Sequence, residues 1–270
     1  MSIDYIDGTG DQFGEIMSPA LADPSQLVDS DKIKIHTEPR ISANKLAEYV
    51  IADPSRQRTI IREAKFAKKV LVIPYKKTRS FIPHAFAGNS LDIDKLVRRA
   101  EEIEHEIEPP GFTSWQRHNN TNSALALRNI ASIAPELSWG NGRIVHRRLG
   151  SLLIAGVKVS VQPDVVFTFE HRNINKVGAI ILNTAKDNGK SLDRNNGAYC
   201  IGDYLSSLVF QALLSKLPGI GAPLNSKCYA VDVFRGKIYT APASYRMLNK
   251  NLEAACEVIA SRWSATKLKA

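Results

Sequence analysis

The sequence predicts an α/β protein, with a mixed central sheet flanked by helices and a helical extension on its N-terminal side. Three observations predict it. Apolar residues recur at helical spacing as far as Ile133 and at a spacing of two from Arg143 onward. The segment Val177 to Leu182 is apolar throughout, the pattern of a central strand covered on both faces. A long helical segment, Gly197 to Leu217, then separates that strand from a strand pair at Tyr229 to Phe234 and Lys237 to Ala241.

Residues 1–37 have no periodicity and scatter Gly, Pro and Asp, so they read as a disordered acidic tail. Residues 38–88 read as a basic helical segment. Ser42 is placed to cap a helix through Leu46, Tyr49 and Val50. Asp53-Pro54 gives a cap and a Pro at the first helical position, opening a second helix through Ile60, Ile61 and Ala64. Val70 to Pro74 suits a short strand. Residues 89–270 read as the α/β core. Asn89 to Ile107 is amphipathic, with Leu96, Ala100, Ile103 and Ile107 on one stripe, and Pro109-Pro110-Gly111 ends it. Ser123 to Ile133 suits a buried helix. Arg143 to Ala155 and Val157 to Phe169 suit strands joined at Gly156, and Lys176 to Thr184 suits a third. A last helix, Met247 to Trp263, carries Leu248, Leu252, Ala255 and Ile259 on its buried face.

Charge bears on function. The net charge is +9, unevenly placed. Seven of the 27 acidic residues lie in residues 1–31, which contain no Lys or Arg; 36 basic against 20 acidic residues leave +16 on the rest. A body this basic favours a polyanion, with nucleic acid first and DNA ahead of RNA. Arg58, Arg62, Lys65, Lys69, Lys76 and Lys77 form the densest basic run, and Arg147 and Arg148 add a second cluster. They are candidate phosphate contacts. Two short helices around Ala52-Asp53-Pro54 also admit a helix-turn-helix, though that turn is atypical for one. No apolar run approaches the roughly 18 residues of a membrane span, and no secretory leader pattern opens the chain. Three cysteines far apart in sequence suit a reducing cytoplasm.

The chemistry-bearing feature is Pro163-Asp164, late on the second predicted strand and followed by the apolar third strand. With the order helix, strand, strand, strand, helix, strand, this stretch resembles the PD-(D/E)xK nuclease superfamily, in its lambda-exonuclease and RecB-like branch, over roughly residues 95–242. The resemblance implies a restriction-endonuclease-like core. It also implies a magnesium ion bound by the motif Asp and by an acid on the next strand, with a Lys two positions later and a Glu on the preceding helix. Magnesium takes hard oxygen ligands and polarises the phosphate. Asp164 matches the first position. Ala179-Ile180-Ile181 occupies the acid-x-Lys position and supplies neither group. The nearest replacements are Lys186 as a displaced catalytic Lys, with Asp187 or Asn183 as an oxygen donor. Glu104, with Glu101, is best placed for the helix Glu.

The expectation is therefore a nucleic-acid-binding protein with a nuclease-like fold that has lost catalysis and serves as a binding or assembly subunit. An active Mg²⁺-dependent nuclease using Asp164, Asp187, Lys186 and Glu104 is the alternative. A basic module that meets an acidic protein partner is the third.

Overall fold

The computed structural model describes residues 33–68, 75–87, 90–107, 110–137, 142–145, 148–185, 199–216 and 219–268. The elements run β1 (Ile33–Ile35), β2 (Arg40–Ser42), α1 (Ala43–Ile51), α2 (Pro54–Lys65), β3 (Phe66–Lys68), α3 (Lys76–Ala85), β4 (Phe86–Ala87), β5 (Ser90–Leu91), α4 (Ile93–Glu104) and α5 (Ser114–Ile133). They continue with β6 (Arg143–Ile144), β7 (Ser151–Ile154), β8 (Val157–Ser160), β9 (Val165–His171), β10 (Ile174–Asn183), α6 (Ile201–Lys216), β11 (Ala222–Asp232), β12 (Lys237–Thr240) and α7 (Tyr245–Trp263).

A five-stranded sheet in the order β12-β11-β10-β9-β6 forms the centre. It is mixed: β10 pairs antiparallel with β9 and parallel with β11, and α6 makes the crossover between the parallel strands. Alternation along β10 serves two cores. Val177, Ala179 and Ile181 pack with residues of α1, α6 and α7, whereas Ile180 and Leu182 pack with residues of α3, α4 and α5. Both faces are thus covered by helices, which is why this strand reads as continuously apolar. Gly178 lies at a register shift between Val177 and Ala179. A Cβ there would stand 2.5 Å from the Lys227 carbonyl oxygen and 2.6 Å from the Phe167 ring, so no side chain fits.

The predicted second strand, 157–169, divides between two sheets. β8 joins β2 and β7 in a three-stranded sheet, and β9 enters the large one. Pro163 stands in the crossing segment, where its missing N–H cannot continue a ladder. The predicted first strand divides likewise, into β6 in the large sheet and β7 in the small. The two tight hairpins have their physical reason in left-handed backbone. Ala155-Gly156 (φ 43° and 78°) joins β7 to β8, and Arg172-Asn173 (φ 54° and 58°) joins β9 to β10.

Residues 33–35, expected within the tail, form a strand paired with β3; residues 1–32 lie outside the described residues. The expected strand Val70–Pro74 also lies outside them. The basic N-terminal segment is built into the core rather than appended to it. Ile41 pairs with Val159 across β2 and β8, and Leu46 and Ile60 are fully buried in the same core as α6 and α7. α5 begins nine residues earlier than expected, because Thr113 and Gln116 form a reciprocal capping box ahead of a polar first half. Among the described residues no helix is long and apolar enough to cross a membrane.

Candidate functional site

Asp164 lies just before β9, where the chain leaves the small sheet. Its backbone N–H donates to the Ile180 carbonyl at 2.8 Å, which holds the residue beside the end of β10. There its carboxylate is engaged at both oxygens. Oδ2 accepts from the Leu182 N–H at 2.7 Å, and Oδ1 accepts from Arg79 Nη1 at 3.2 Å. Arg79, from α3, also donates through Nη2 to the Leu182 carbonyl at 3.1 Å and to Thr184 Oγ1 at 3.4 Å. Asn44 of α1 reaches the same carbonyl at 3.4 Å. Helices from both faces of the sheet therefore meet at one strand end. The Asp164 side chain is 6% exposed and that of Arg79 32%. Burial pushes the Asp164 carboxyl above its ordinary range, opposed first by the Arg79 charge and then by the Leu182 N–H.

A magnesium ion fits these described residues poorly. Each Asp164 oxygen already accepts one hydrogen bond, and the Arg79 guanidinium places a positive charge beside Oδ1 that a second cation would meet. The expected acid-x-Lys positions are Ala179, Ile180 and Ile181, each at most 2% exposed within apolar cores. No group of three or more His, Cys, Asp or Glu side chains suited to a metal ion occurs among the described residues. Lys186 and Asp187 lie outside them. Glu104 is committed to Arg128 of α5, at 2.5 Å to Nη2 and 3.3 Å to Nε, and this partner draws its carboxyl below the ordinary range. Glu106, two residues on, pairs with Lys77 and with Asn120.

The expected phosphate contacts do not form one patch. α2 and α3 lie on opposite faces of the large sheet, with Ile60 and Ile61 of α2 in one core and Ile82 of α3 in the other. The basic run is thereby split. Arg58, Lys76 and Arg148 are exposed and Arg62 is half-buried; Lys69 and Arg147 lie outside the described residues. Lys77 is paired with Glu106. Lys65 serves the fold. Its Nζ donates to the carbonyls of Trp263, Ser264 and Thr266 at 2.6, 3.2 and 2.9 Å, which satisfies the C-terminal end of α7.

The structure instead brings together basic residues that the sequence pattern did not single out. Arg40 and Lys158 are register neighbours on parallel strands β2 and β8, and both are exposed. Burial, and then the charges of Arg40 and Lys34, hold the His36 imidazole below its ordinary value, so these three groups lie within electrostatic reach of one another. Lys68 pairs with Ile33, so alternation turns it to the opposite face of the β1–β3 ribbon from Lys34. On the same sheet Leu153, register partner of Lys158, is 78% exposed. An open groove of about 420 Å³ runs beside it, lined by residues including Glu38, Pro39, Ser151 and Lys158. Lys158 was readable as an outward residue between Val157 and Val159. Its neighbour Arg40 was not, because a parallel pairing across 118 residues leaves no local trace.

No family model matches the sequence, and none of the curated proteins matches it, so its own geometry is the ground for a functional reading.

Proposed function

We propose that the protein binds nucleic acid, DNA ahead of RNA, through the basic face of its small sheet, and acts as a binding or assembly subunit on a nuclease-like core without cleaving its ligand. The observation that carries this is the Arg40–Lys158 pair. Neighbouring strands hold their backbones about 4.8 Å apart, so two cations stand side by side on one sheet face, with Lys34 and His36 within electrostatic reach of Arg40. The +16 on residues 32–270 draws a polyanion toward the pair. The engagement of Asp164 by Arg79 supports a structural role for the dipeptide that would otherwise mark a nuclease. Three free, buried cysteines suit a reducing cytoplasmic setting.

The test is binding of labelled single- and double-stranded DNA and RNA across a salt series. Affinity should fall steeply with salt. Arg40→Glu with Lys158→Glu should lower it and reduce the salt slope by about 1 for each phosphate that is no longer neutralised. Unchanged binding in the double variant would remove this face from consideration. Magnesium-dependent cleavage that Asp164→Ala abolishes would instead establish the nuclease. A protein partner retained after nuclease treatment, with no nucleic-acid binding, would favour the acidic-partner module.

A further inference from the structure

The same basic face has a second ligand available in the chain's own sequence. We propose that the acidic segment of residues 1–31 docks on this face in cis, covering Lys34, His36, Arg40 and Lys158, and that a polyanion binds by displacing it. The proposal deepens the function proposed above by giving that surface a built-in competitor.

Charge, connection and surface shape carry it. The segment holds Asp4, Asp7, Asp11, Glu15, Asp23, Asp29 and Asp31 and no Lys or Arg, whereas the remaining chain is +16. It enters the described structure at Ile33, the first residue of β1, and the next residue is Lys34 of the basic group itself. An attachment this close gives an effective concentration on the order of millimolar, enough to hold a contact that would be weak between separate molecules. The surface also offers an apolar contact. Leu153 is 78% exposed beside the groove. The acids of the segment are interspersed with Ile3, Ile6, Phe13, Ile16, Leu21 and Leu27. Glu38 at the groove opposes an acidic occupant, which sets the carboxylates against Arg40 and Lys158 rather than the Glu38 side.

The test uses the full chain and a variant in which Asp4→Asn, Asp7→Asn, Asp11→Asn and Glu15→Gln are combined. Amide hydrogen exchange is followed over 33–42 and 151–160 at low salt, at two protein concentrations. Exchange over these residues should quicken severalfold in the neutralised variant, with 199–216 unchanged. In a parallel measurement at the same salt, DNA affinity should rise about tenfold in the variant. Equal exchange in the two proteins would overturn the docking. Protection that depends on protein concentration would overturn it too, because the occupant would then be a second copy. Exchange that responds to the variant while neither protein binds nucleic acid keeps the docking and removes the function it was argued to regulate.

Discussion

Replacing Asp164 should unfold the protein more readily rather than disable a reaction. The perturbation is a double-mutant cycle of Asp164→Ala, Arg79→Met and both together. Removing one partner of a buried ion pair costs about 3–5 kcal/mol, since the other charge stays behind without compensation. Asp164 is 6% exposed, but Arg79 is 32% exposed and water can partly solvate it when orphaned. The low end of the range therefore applies, about 3 kcal/mol for Asp164→Ala, including the Leu182 N–H left without its acceptor. At this chain length that is a fall in Tm of about 6–12 °C. Arg79→Met should cost about the same, because it strands a carboxylate at a more buried position. The double variant should lose no more than either single and well short of their sum, since neither charge is then left alone. Urea unfolding at pH 7 followed by far-UV circular dichroism measures all four proteins. A loss below about 0.5 kcal/mol in Asp164→Ala, the size of an ordinary surface substitution, would refute the structural role. Additive losses in the double variant would refute the pairing with Arg79.

Three further outcomes are expected. Because the folded-state pKa of Asp164 is raised, protonation adds stability beyond the Arg79 pairing that operates at pH 7; this added part is fully present below the ordinary carboxylate value of 3.8 and is lost as pH rises through the raised value. The stability of the native protein relative to Asp164→Asn should thus decline over that window and then level off; a rising difference would reverse the sign of the burial effect. Lys65→Met should cost about 1–2 kcal/mol by leaving the carbonyls at the end of α7 without their donor, with little change in nucleic-acid affinity, and a pure binding defect at normal Tm would return Lys65 to the ligand surface. The three thiols should resist a disulfide reagent until the protein unfolds: all are buried, and burial lifts Cys200 to about 11 and Cys256 to about 12, and raises Cys228 as well. Labelling of any one of them at a free-thiol rate in the native state would contradict that burial.

Local signals in the sequence were sufficient for the elements that local physics controls. The caps at Ser42 and Asp53, the turn at Gly156 and the apolar run of β10 stand where spacing and capping put them, whereas the helix expected over 89–107 runs only from Ile93, behind its Asp92 cap, to Glu104, and Ile107 is 91% exposed rather than on its buried stripe. What was not legible depends on contacts distant in sequence. Nothing near Pro163 says that the strands on its two sides belong to different sheets. Arg79 gave no sign of pairing with a residue 85 positions away. The candidate site shifted for the same reason: a run of cations contiguous in sequence was divided by the sheet, while Arg40 and Lys158 became neighbours through it. α3 is obscured in the sequence because Pro83 and a polar first turn mask its period. The hairpin at Arg172-Asn173 was hidden by a turn without Gly, although Asn is among the residues that tolerate the left-handed region.

The tie between Asp164 and Arg79 also bears on descent. A carboxylate retained for metal chemistry answers to the substrate and must be kept whatever surrounds it. A carboxylate retained to hold a guanidinium answers only to its partner, so drift at one position relaxes or tightens the constraint at the other. In a lineage carrying this fold, Asp164 and Arg79 should be kept together or exchanged together for an apolar pair of similar volume, because either change alone strands a buried charge. The Pro-Asp dipeptide would then persist or vanish as one half of a structural joint whose other half lies in a helix that no nuclease motif would single out.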